Sequence, residues 1–319
     1  MTKLEKEIYD QKTELKVVFD FVTKSSLDLS SFLAAKSIYF VGCGSSYYLA
    51  ISAAKHFSRQ LAKFTKAIPG GEVAFHFAEN IPEKVDTSLA VMISRSGDST
   101  EMVLAAQNLK KKGFQTFCVT LNPESKLLEN CNDALVLPVE EESVVMTKSF
   151  SSMLLSLLII ADLVSKTNLD HYQSIFNNID YFFFDPSYLD LSRFKHLVFL
   201  GSGIYEGIAR ESSLKVEEMS LTQAEAFSAF EYRHGPKALV TEETLIVIFS
   251  NGTKEERRLA EEVKAYGTQV IERISIDGFG RDAFAHVIFS QLMGVHLAKL
   301  KGVDPQKPRN LTRVVEFNL

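Results

Sequence analysis

One pattern occurs four times in this sequence, as two pairs: a short apolar run leads into a loop rich in glycine and serine, and a helical segment follows. The four runs are residues 37–41, 88–93, 196–200 and 244–249, and their loops begin at Gly42, Ser94, Gly201 and Ser250. Gly42 and Ser94 are 52 positions apart, and Gly201 and Ser250 are 49 positions apart. Two matching pairs at matching distances indicate an internal duplication.

The apolar runs also indicate the kind of sheet that the chain forms. Strands that are apolar throughout are buried on both faces, as in a parallel sheet with helices on each side. Further strands are predicted at 116–121, 134–138 and 270–276. The predicted fold is therefore α/β, with two doubly wound parallel-sheet domains of three αβα layers. The predicted limits are an N-terminal helix at 1–24, a first domain at 25–165, a linker at 166–190 and a second domain at 191–319.

Composition and charge exclude several classes of partner. A formal net charge of −5 argues against nucleic acid. Three cysteines are too few and too irregularly spaced for a disulfide framework, and the charged N-terminus does not resemble a signal peptide. The longest apolar run, 153–164, is too short to span a membrane and predicts a buried helix. We therefore expect a cytoplasmic protein with no membrane partner.

A group of charged residues in the second half carries the strongest chemical signal. Glu211, Lys215 and Glu218 are spaced by four and three, so they share one helix face. His234 follows in a turn marked by Gly235 and Pro236. A carboxylate that moves a proton and a histidine that opens a ring are the parts needed to isomerise a sugar. A surface ion pair and a structural histidine are the alternatives.

The loop at 94–99 has the features of a phosphate site. Gly97 permits a tight turn, Ser94, Ser96 and Ser99 supply hydroxyl groups, and the start of a helix supplies N–H donors. The alternative is that a serine merely caps the helix. The corresponding loop at Ser250 has fewer hydroxyl groups. We expect it to serve only as a turn and not to bind phosphate.

Other cofactor motifs are missing from the sequence. No Gly-Lys-Ser/Thr follows either loop, as a Walker A motif requires. The stretches at Gly42 and Gly201 lack the third glycine of a dinucleotide fingerprint. The histidines form no i,i+4 pair, so no metal site is predicted. We expect the protein to need no cofactor.

Ordered motifs extend over nearly the whole chain. They are Lys6-Glu-Ile-Tyr-Asp-Gln, Gly42-Cys-Gly-Ser-Ser-Tyr, Ser94-Arg-Ser-Gly-Asp-Ser, Thr147-Lys-Ser-Phe, residues 211–218, Ala224-Glu-Ala-Phe, Arg233-His-Gly-Pro and Asp304-Pro-Gln-Lys-Pro-Arg-Asn-Leu-Thr. In these motifs both halves resemble the sugar-isomerase (SIS) domain. Their order resembles the isomerase domain of glucosamine-6-phosphate synthase and its stand-alone relatives, the amino-sugar-phosphate deaminases and isomerases and the fructosamine-6-phosphate deglycases.

The resemblance implies roles for individual residues. Glu218 is implied to move the proton between C1 and C2, with Lys215 one turn before it. His234 is implied to open the ring and, in this family, to reach the site from the partner subunit, which implies a homodimer. The implied substrate- and phosphate-binding residues are Cys43, Gly44, Ser45, Ser46, Ser94, Arg95, Ser96, Ser99, Val144, Thr312 and Arg313.

The sequence departs from the synthase in three respects. The chain goes from Met1 straight into the sugar domain, so we expect no synthesis from glutamine unless a partner supplies ammonia. Arg313 stands where the synthase has a lysine that forms an imine, and arginine stays protonated. Met146 stands where the synthase has a hydroxyl residue. These departures favour breakdown of an amino sugar over its synthesis.

The sequence therefore predicts a phosphosugar isomerase/deaminase for an amino-sugar phosphate such as glucosamine 6-phosphate. Three alternatives stay open at this point: a fructosamine-6-phosphate deglycase, a plain aldose–ketose phosphate isomerase, and a non-catalytic sugar-phosphate sensor.

Overall fold

The computed structural model describes residues 1–82, 87–183, 185 and 188–316. Parts of three predicted segments therefore lie outside the described residues: 83–86 of the first domain, three positions of the linker, and the last residues of the tail.

Helices and parallel strands alternate along the chain. The helices are α1 Lys3–Lys24, α2 Ser30–Ala34, α3 Ser45–Leu61, α4 Gly70–Phe75, α5 Phe77–Asn80, α6 Thr100–Lys111, α7 Lys126–Glu129, α8 Lys148–Val164, α9 Asp170–Asn177, α10 Tyr205–Ser220, α11 Lys254–Lys264 and α12 Ala283–Lys301. The strands are β1 Ser37–Gly42, β2 Phe64–Pro69, β3 Ser88–Ile93, β4 Gln115–Thr120, β5 Asp133–Val136, β6 His196–Gly201, β7 Ala224–Ser228, β8 Thr244–Ser250 and β9 Gln269–Ile274.

The chain divides into two compact units, each built on one sheet. The sheet A unit consists of Thr13–Glu142, Lys148–Leu169 and the tail from Thr312. The sheet B unit consists of Met1–Lys12, Ser143–Thr147 and Asp170–Leu311. The limits of the two duplicated domains within this division stay a prediction.

Both sheets are parallel and follow one topology. Among the described residues, sheet A has the strand order β2-β1-β3-β4-β5 and sheet B has the order β7-β6-β8-β9. The inner strands β3 and β8 are buried along their whole length, as their apolar sequences require. The predicted class of two duplicated parallel α/β domains is confirmed, and the seven predicted strands are present. Strands β2 and β7 were not predicted.

The duplication extends to a close approach of backbone behind the first strand of each sheet. A Cβ atom on Gly42 would lie 2.5 Å from the backbone carbonyl of Ser46, and one on Gly201 would lie 2.0 Å from the Tyr205 oxygen. Only glycine lets α3 and α10 begin so near the ends of β1 and β6.

One described helix, α12, is long and apolar enough to cross a membrane by length and composition alone. However, 83% of its apolar window is buried inside the protein, as in the core helix of a globular domain.

Candidate functional site

Two loops meet at the carboxyl edge of sheet A. The loop after β1 begins at Gly42, and the loop after β3 is 94–99. These strands are neighbours, and the strand order reverses between them, because β2 lies on one side of β1 and β3 on the other. A parallel α/β sheet binds its ligands in the crevice outside such a reversal. The topology therefore places the predicted phosphate and sugar loops at the position where a ligand is expected.

Each of these loops leads directly into a helix that starts without a side-chain cap. Within the described residues, no side chain caps α3 at Gly44 or α6 at Ser99. In sheet B, by contrast, Thr253 and Glu256 form a reciprocal capping box on α11. Side chains therefore satisfy the first turn of α11. At the start of α6 the Thr100, Met102 and Val103 N–H groups donate to backbone carbonyls instead, and the positive end of the helix dipole has no side-chain cap among the described residues.

Hydrogen bonds within the 94–99 loop fix its shape. The Ser94 Oγ accepts from the Gly97 N–H at 3.0 Å, and the Ser96 Oγ accepts from the Asp98 N–H at 3.3 Å. Gly97 has a φ of +70°, and a Cβ atom there would meet Ser125 at 2.4 Å. Because both serine hydroxyls act as acceptors, each retains its own proton for donation to an anion.

The C-terminal tail contacts the start of α6 and the segment after β5 within the same unit. The Thr100 N–H donates to the Val315 carbonyl at 3.2 Å, and the Arg313 Nη1 donates to the Glu142 carbonyl at 3.4 Å. A cavity of about 500 Å³ is lined by Arg95, Ser96 and Arg313 among other residues. Arg313 thus shares a cavity with residues of the 94–99 loop. A larger cavity beside Lys148 contains none of the predicted site residues.

The Arg95 side chain is held by a buried acid. Its Nη1 lies 2.8 Å from the Glu141 Oε2, and both side chains are buried. Ser149 donates to the same carboxylate through its backbone N–H at 3.0 Å and its hydroxyl at 2.5 Å. Burial raises the pKa of Glu141, but the Arg95 charge and the Ser149 hydrogen bonds outweigh it and hold the pKa below its ordinary value of 4.5. This ion pair anchors the phosphate loop to the strand-end segment that follows β5.

We expect Glu141→Gln to lower the free energy of unfolding by about 2 kcal/mol at pH 7, because a charged buried hydrogen-bond acceptor is lost. A depressed carboxylate pKa stabilises the fold above the unfolded pKa, and this stabilisation disappears as the pH falls through the folded pKa. The difference from wild type should therefore shrink below about pH 4 in denaturant titrations. Exposed Glu140→Gln is the control. A deficit that stays constant with pH would contradict the ion-pair interpretation.

The Cys43 thiol, in the loop that begins at Gly42, is a packing group. Burial, followed by the nearby charge of Glu101, raises its pKa to about 11. The thiol therefore stays protonated at neutral pH and is a poor nucleophile. It packs against the Gly70 backbone beside Met102. In the same loop Gly44 is exposed, whereas Ser45 and Ser46 are buried at the start of α3.

In the sheet B unit, α10 carries a lysine between two glutamates. The Lys215 Nζ lies 2.5 Å from the Glu218 Oε2 and 3.3 Å from the Glu211 Oε1. Lys215 and Glu211 are 0% exposed, whereas Glu218 keeps 17% exposure. Burial lowers the pKa of Lys215, but the two carboxylates outweigh it and raise the pKa above its ordinary value. The outcome is a buried ammonium ion that fixes a partly accessible carboxylate, which rules out the alternative of a surface ion pair.

Two further predicted residues of the sheet B unit lie outside this triad. His234 ends a short 3₁₀ helix, Glu231–His234, and its side chain is exposed. Neighbouring Arg233 is paired with Glu262 at 2.8 Å, and Tyr232 is buried. Val144 is half-buried in the 143–147 segment.

Sequence reasoning missed some polar residues of the site. Glu141 lies in the run Glu140-Glu141-Glu142, which is typical of a solvated surface, so no sequence signal distinguishes it. Glu101 follows the phosphate loop in the first turn of α6, where an acid is an ordinary helix-start residue. Across the described ranges, no group of three or more His, Cys, Asp or Glu side chains has the arrangement of a metal site.

Comparison with known proteins identifies the family. The SIS domain model matches residues 31–162 and 190–285. A solved structure of a glucosamine-6-phosphate deaminase from Thermotoga maritima is 38% identical, covers 98% of this chain and 99% of its own, and superposes with a TM-score of 0.88. The tagatose-6-phosphate ketose/aldose isomerase of Escherichia coli, at 22% identity and a TM-score of 0.75 over 100% of this chain and 96% of its own, shares the fold.

A curated relative is longer than this chain. The isomerizing glutamine–fructose-6-phosphate aminotransferase of Francisella tularensis is 29% identical over 97% of this chain, which spans only 58% of that protein. The two family matches together cover more than half of the chain, and both coincide with the duplicated sheets. This protein belongs to the SIS domain family.

Proposed function

We propose that this protein is an amino-sugar-phosphate isomerase/deaminase that converts a substrate such as glucosamine 6-phosphate into fructose 6-phosphate and ammonia. The observation that carries the proposal is the Glu218 carboxylate, which is fixed by a fully buried, protonated Lys215 and retains access to solvent. A general base in sugar isomerisation needs both a fixed orientation and access to the substrate.

The choice of deamination rests on the relatives. The Thermotoga maritima glucosamine-6-phosphate deaminase matches this chain from end to end at 38% identity. Arg313, where the synthase has its imine-forming lysine, favours the same choice, because a guanidinium stays protonated and is not an amine nucleophile.

The phosphate group would bind at the 94–99 loop. Support comes from the start of α6, which has no side-chain cap, from the hydroxyl protons of Ser94 and Ser96, and from the Arg313 side chain at the same cavity. An anion there gains hydroxyl donors and the positive end of the helix dipole. Local donors of this kind compensate for the overall charge of −5, which repels a phosphate.

The proposed reaction is balanced with water as the only co-reactant. Glu218 takes the proton from C2 of the open-chain aldose while O1 gains a proton, which gives an enolamine. Glu218 then returns a proton to C1 while the amino nitrogen loses one, which gives a ketimine at C2. Water adds to the ketimine and ammonia leaves, so that a ketose remains. In this scheme the Lys215 ammonium holds the carboxylate in place through both proton transfers.

Product analysis of the wild-type protein tests the proposal. We expect ammonia and fructose 6-phosphate in equal amounts from glucosamine 6-phosphate, and little turnover of glucosamine, which lacks the phosphate. Free amino acid from a fructosamine 6-phosphate, without ammonia release, would replace the proposal with a deglycase. Interconversion of non-amino sugar phosphates alone would indicate a plain isomerase, and binding without any product would indicate a sensor.

His234 is proposed to open the sugar ring from the partner subunit of a homodimer. Support comes from its exposure on the short helix that precedes Gly235, and from the lack of any hydrogen bond or ion pair for this side chain within the described part of the chain. An exposed, unpaired histidine beside a buried tyrosine is available to a second copy of the chain.

A mixed-dimer experiment tests this arrangement. Glu218→Gln and His234→Ala chains, each with low activity alone, are co-expressed in equal amounts. If His234 acts across the interface, one site of each mixed dimer is intact, and about a quarter of wild-type activity should return. If it acts within its own chain, both sites stay defective and no activity returns. Each variant expressed alone serves as the control.

We also propose a cytoplasmic location. The three free cysteines, Cys43, Cys118 and Cys131, suit a reducing compartment, and sugar-phosphate chemistry needs neither nucleic acid nor a membrane partner.

A further inference from the structure

Glu101 lies beside the crevice at the reversal of sheet A. It is the second residue of α6, directly after the phosphate loop. The first turn of α6 packs against the loop that begins at Gly42. The sulfur atoms of Met102, on α6, and Cys43, in that loop, each lie 2.7 Å from the position that a Cβ atom on Gly70 would occupy. Glu101 is also close enough for its charge to contribute to the raised pKa of Cys43. Glu101 therefore lies close to both loops that border the crevice.

One oxygen of this carboxylate has no hydrogen-bond donor. The Glu101 Oε2 atom is buried and unpartnered among the residues that the structure describes. A buried acceptor without a donor is costly, and for a charged oxygen the cost is greater still. A donor on a bound ligand would satisfy this oxygen.

We propose that Glu101 is a substrate-binding residue whose carboxylate accepts a hydrogen bond from a hydroxyl or amino group of the sugar. The inference rests on the proposed function, because it assumes a sugar phosphate in the crevice between the loops at Gly42 and Ser94. Glu101 then gives the site its preference for a sugar phosphate over a bare phosphate ion.

The location of Glu101 makes the proposal testable, because removing its carboxylate should change the affinities for inorganic phosphate and for the sugar phosphate in opposite directions. A carboxylate near the phosphate loop repels the phosphate group, so its removal strengthens the binding of inorganic phosphate. If the same carboxylate accepts a bond from the sugar, its removal weakens the binding of the sugar phosphate. A residue that merely stabilises the start of α6 would change both affinities in the same direction or neither.

The test is calorimetric titration in a Glu218→Gln background, which prevents turnover. Glu101→Ala and Glu101→Gln are compared with their parent for inorganic phosphate, glucose 6-phosphate and glucosamine 6-phosphate. Exposed Glu129→Gln is the control for loss of a distant negative charge. We expect Glu101→Ala to weaken sugar-phosphate binding about tenfold or more and to leave phosphate binding equal or stronger.

The two sugars identify the donor. Loss of affinity for both indicates a hydroxyl group, and loss for glucosamine 6-phosphate alone indicates the amino group. Unchanged binding of both sugar phosphates, or equal weakening of all three ligands, would overturn the inference. Because titration needs no turnover, this result is separate from the proposed reaction, whose failure is recognised by the absence of ammonia from the wild-type protein.

Discussion

Replacing Glu218 with glutamine should lower the rate of ammonia release from glucosamine 6-phosphate by about 10³-fold, which is typical for the loss of a general base. Glutamine has the same shape and can still accept a hydrogen bond from Lys215, but it cannot take a proton from carbon. Sugar-phosphate affinity should change by less than about threefold, since the loss concerns a step that follows binding. The measurements are a coupled ammonia assay and a calorimetric titration.

Glu217→Gln is the matched control, because Glu217 is the preceding residue on α10 and is exposed. We expect wild-type rates from this variant. Substantial ammonia release by Glu218→Gln would remove Glu218 from the mechanism. A parallel loss in Glu217→Gln would instead point to a general effect of charge on α10.

The sequence predicted the inner strands of both sheets and one edge strand of each, β5 and β9, and it missed the other edge strand of each. Strands such as β3 are continuous apolar runs because helices cover both of their faces. The edge strand β2, Phe64–Pro69, contains Lys66 and is partly exposed, and β7, Ala224–Ser228, contains Glu225. An edge strand need not be apolar on both faces, so the criterion of an apolar run did not detect β2 and β7. The helix α9 was missed for a similar reason. It lies in the predicted linker and buries only two side chains, Tyr172 and Ile175, so its apolar pattern is weak.

The predicted site shows the same limit at the level of side chains. Helical spacing was sufficient to place Lys215 and Glu218 on one face of α10, and the glycine-serine loops were sufficient to mark the crevice of sheet A. The same reasoning could not predict which charged side chains are buried. Lys215 and Glu141 have sequence neighbours typical of a protein surface, yet both side chains are buried and each is compensated by a charge. Compensation depends on contacts that spacing along the chain does not report.

Replacing Lys215 with methionine should lower the free energy of unfolding by roughly 3–5 kcal/mol at pH 7. Methionine preserves most of the volume but removes the ammonium ion that neutralises Glu211, which is 0% exposed. The measurement is chemical denaturation, and the control is Lys264→Met, which removes a surface ion pair with Glu272. That change should cost less than about 1 kcal/mol.

The dependence on pH distinguishes loss of charge compensation from loss of packing. Without Lys215, burial should raise the pKa of Glu211 in the folded protein above its unfolded value. Such a group stabilises the fold below the unfolded pKa, and the stabilisation is lost as the pH rises, so Lys215→Met should be more stable relative to wild type at pH 5 than at pH 8. A deficit independent of pH would contradict this account.

Adding Glu211→Gln to Lys215→Met should recover most of the lost stability, because no buried charge then lacks its counter-ion. Ammonia release should not recover, since Glu218 still lacks the ammonium ion that fixes its carboxylate at 2.5 Å. Recovery of stability without activity would separate the two roles of Lys215: it neutralises Glu211 in the core and positions Glu218 for proton transfer. If activity returned with stability, Lys215 would serve the fold alone, and the orientation of Glu218 would have to come from the substrate.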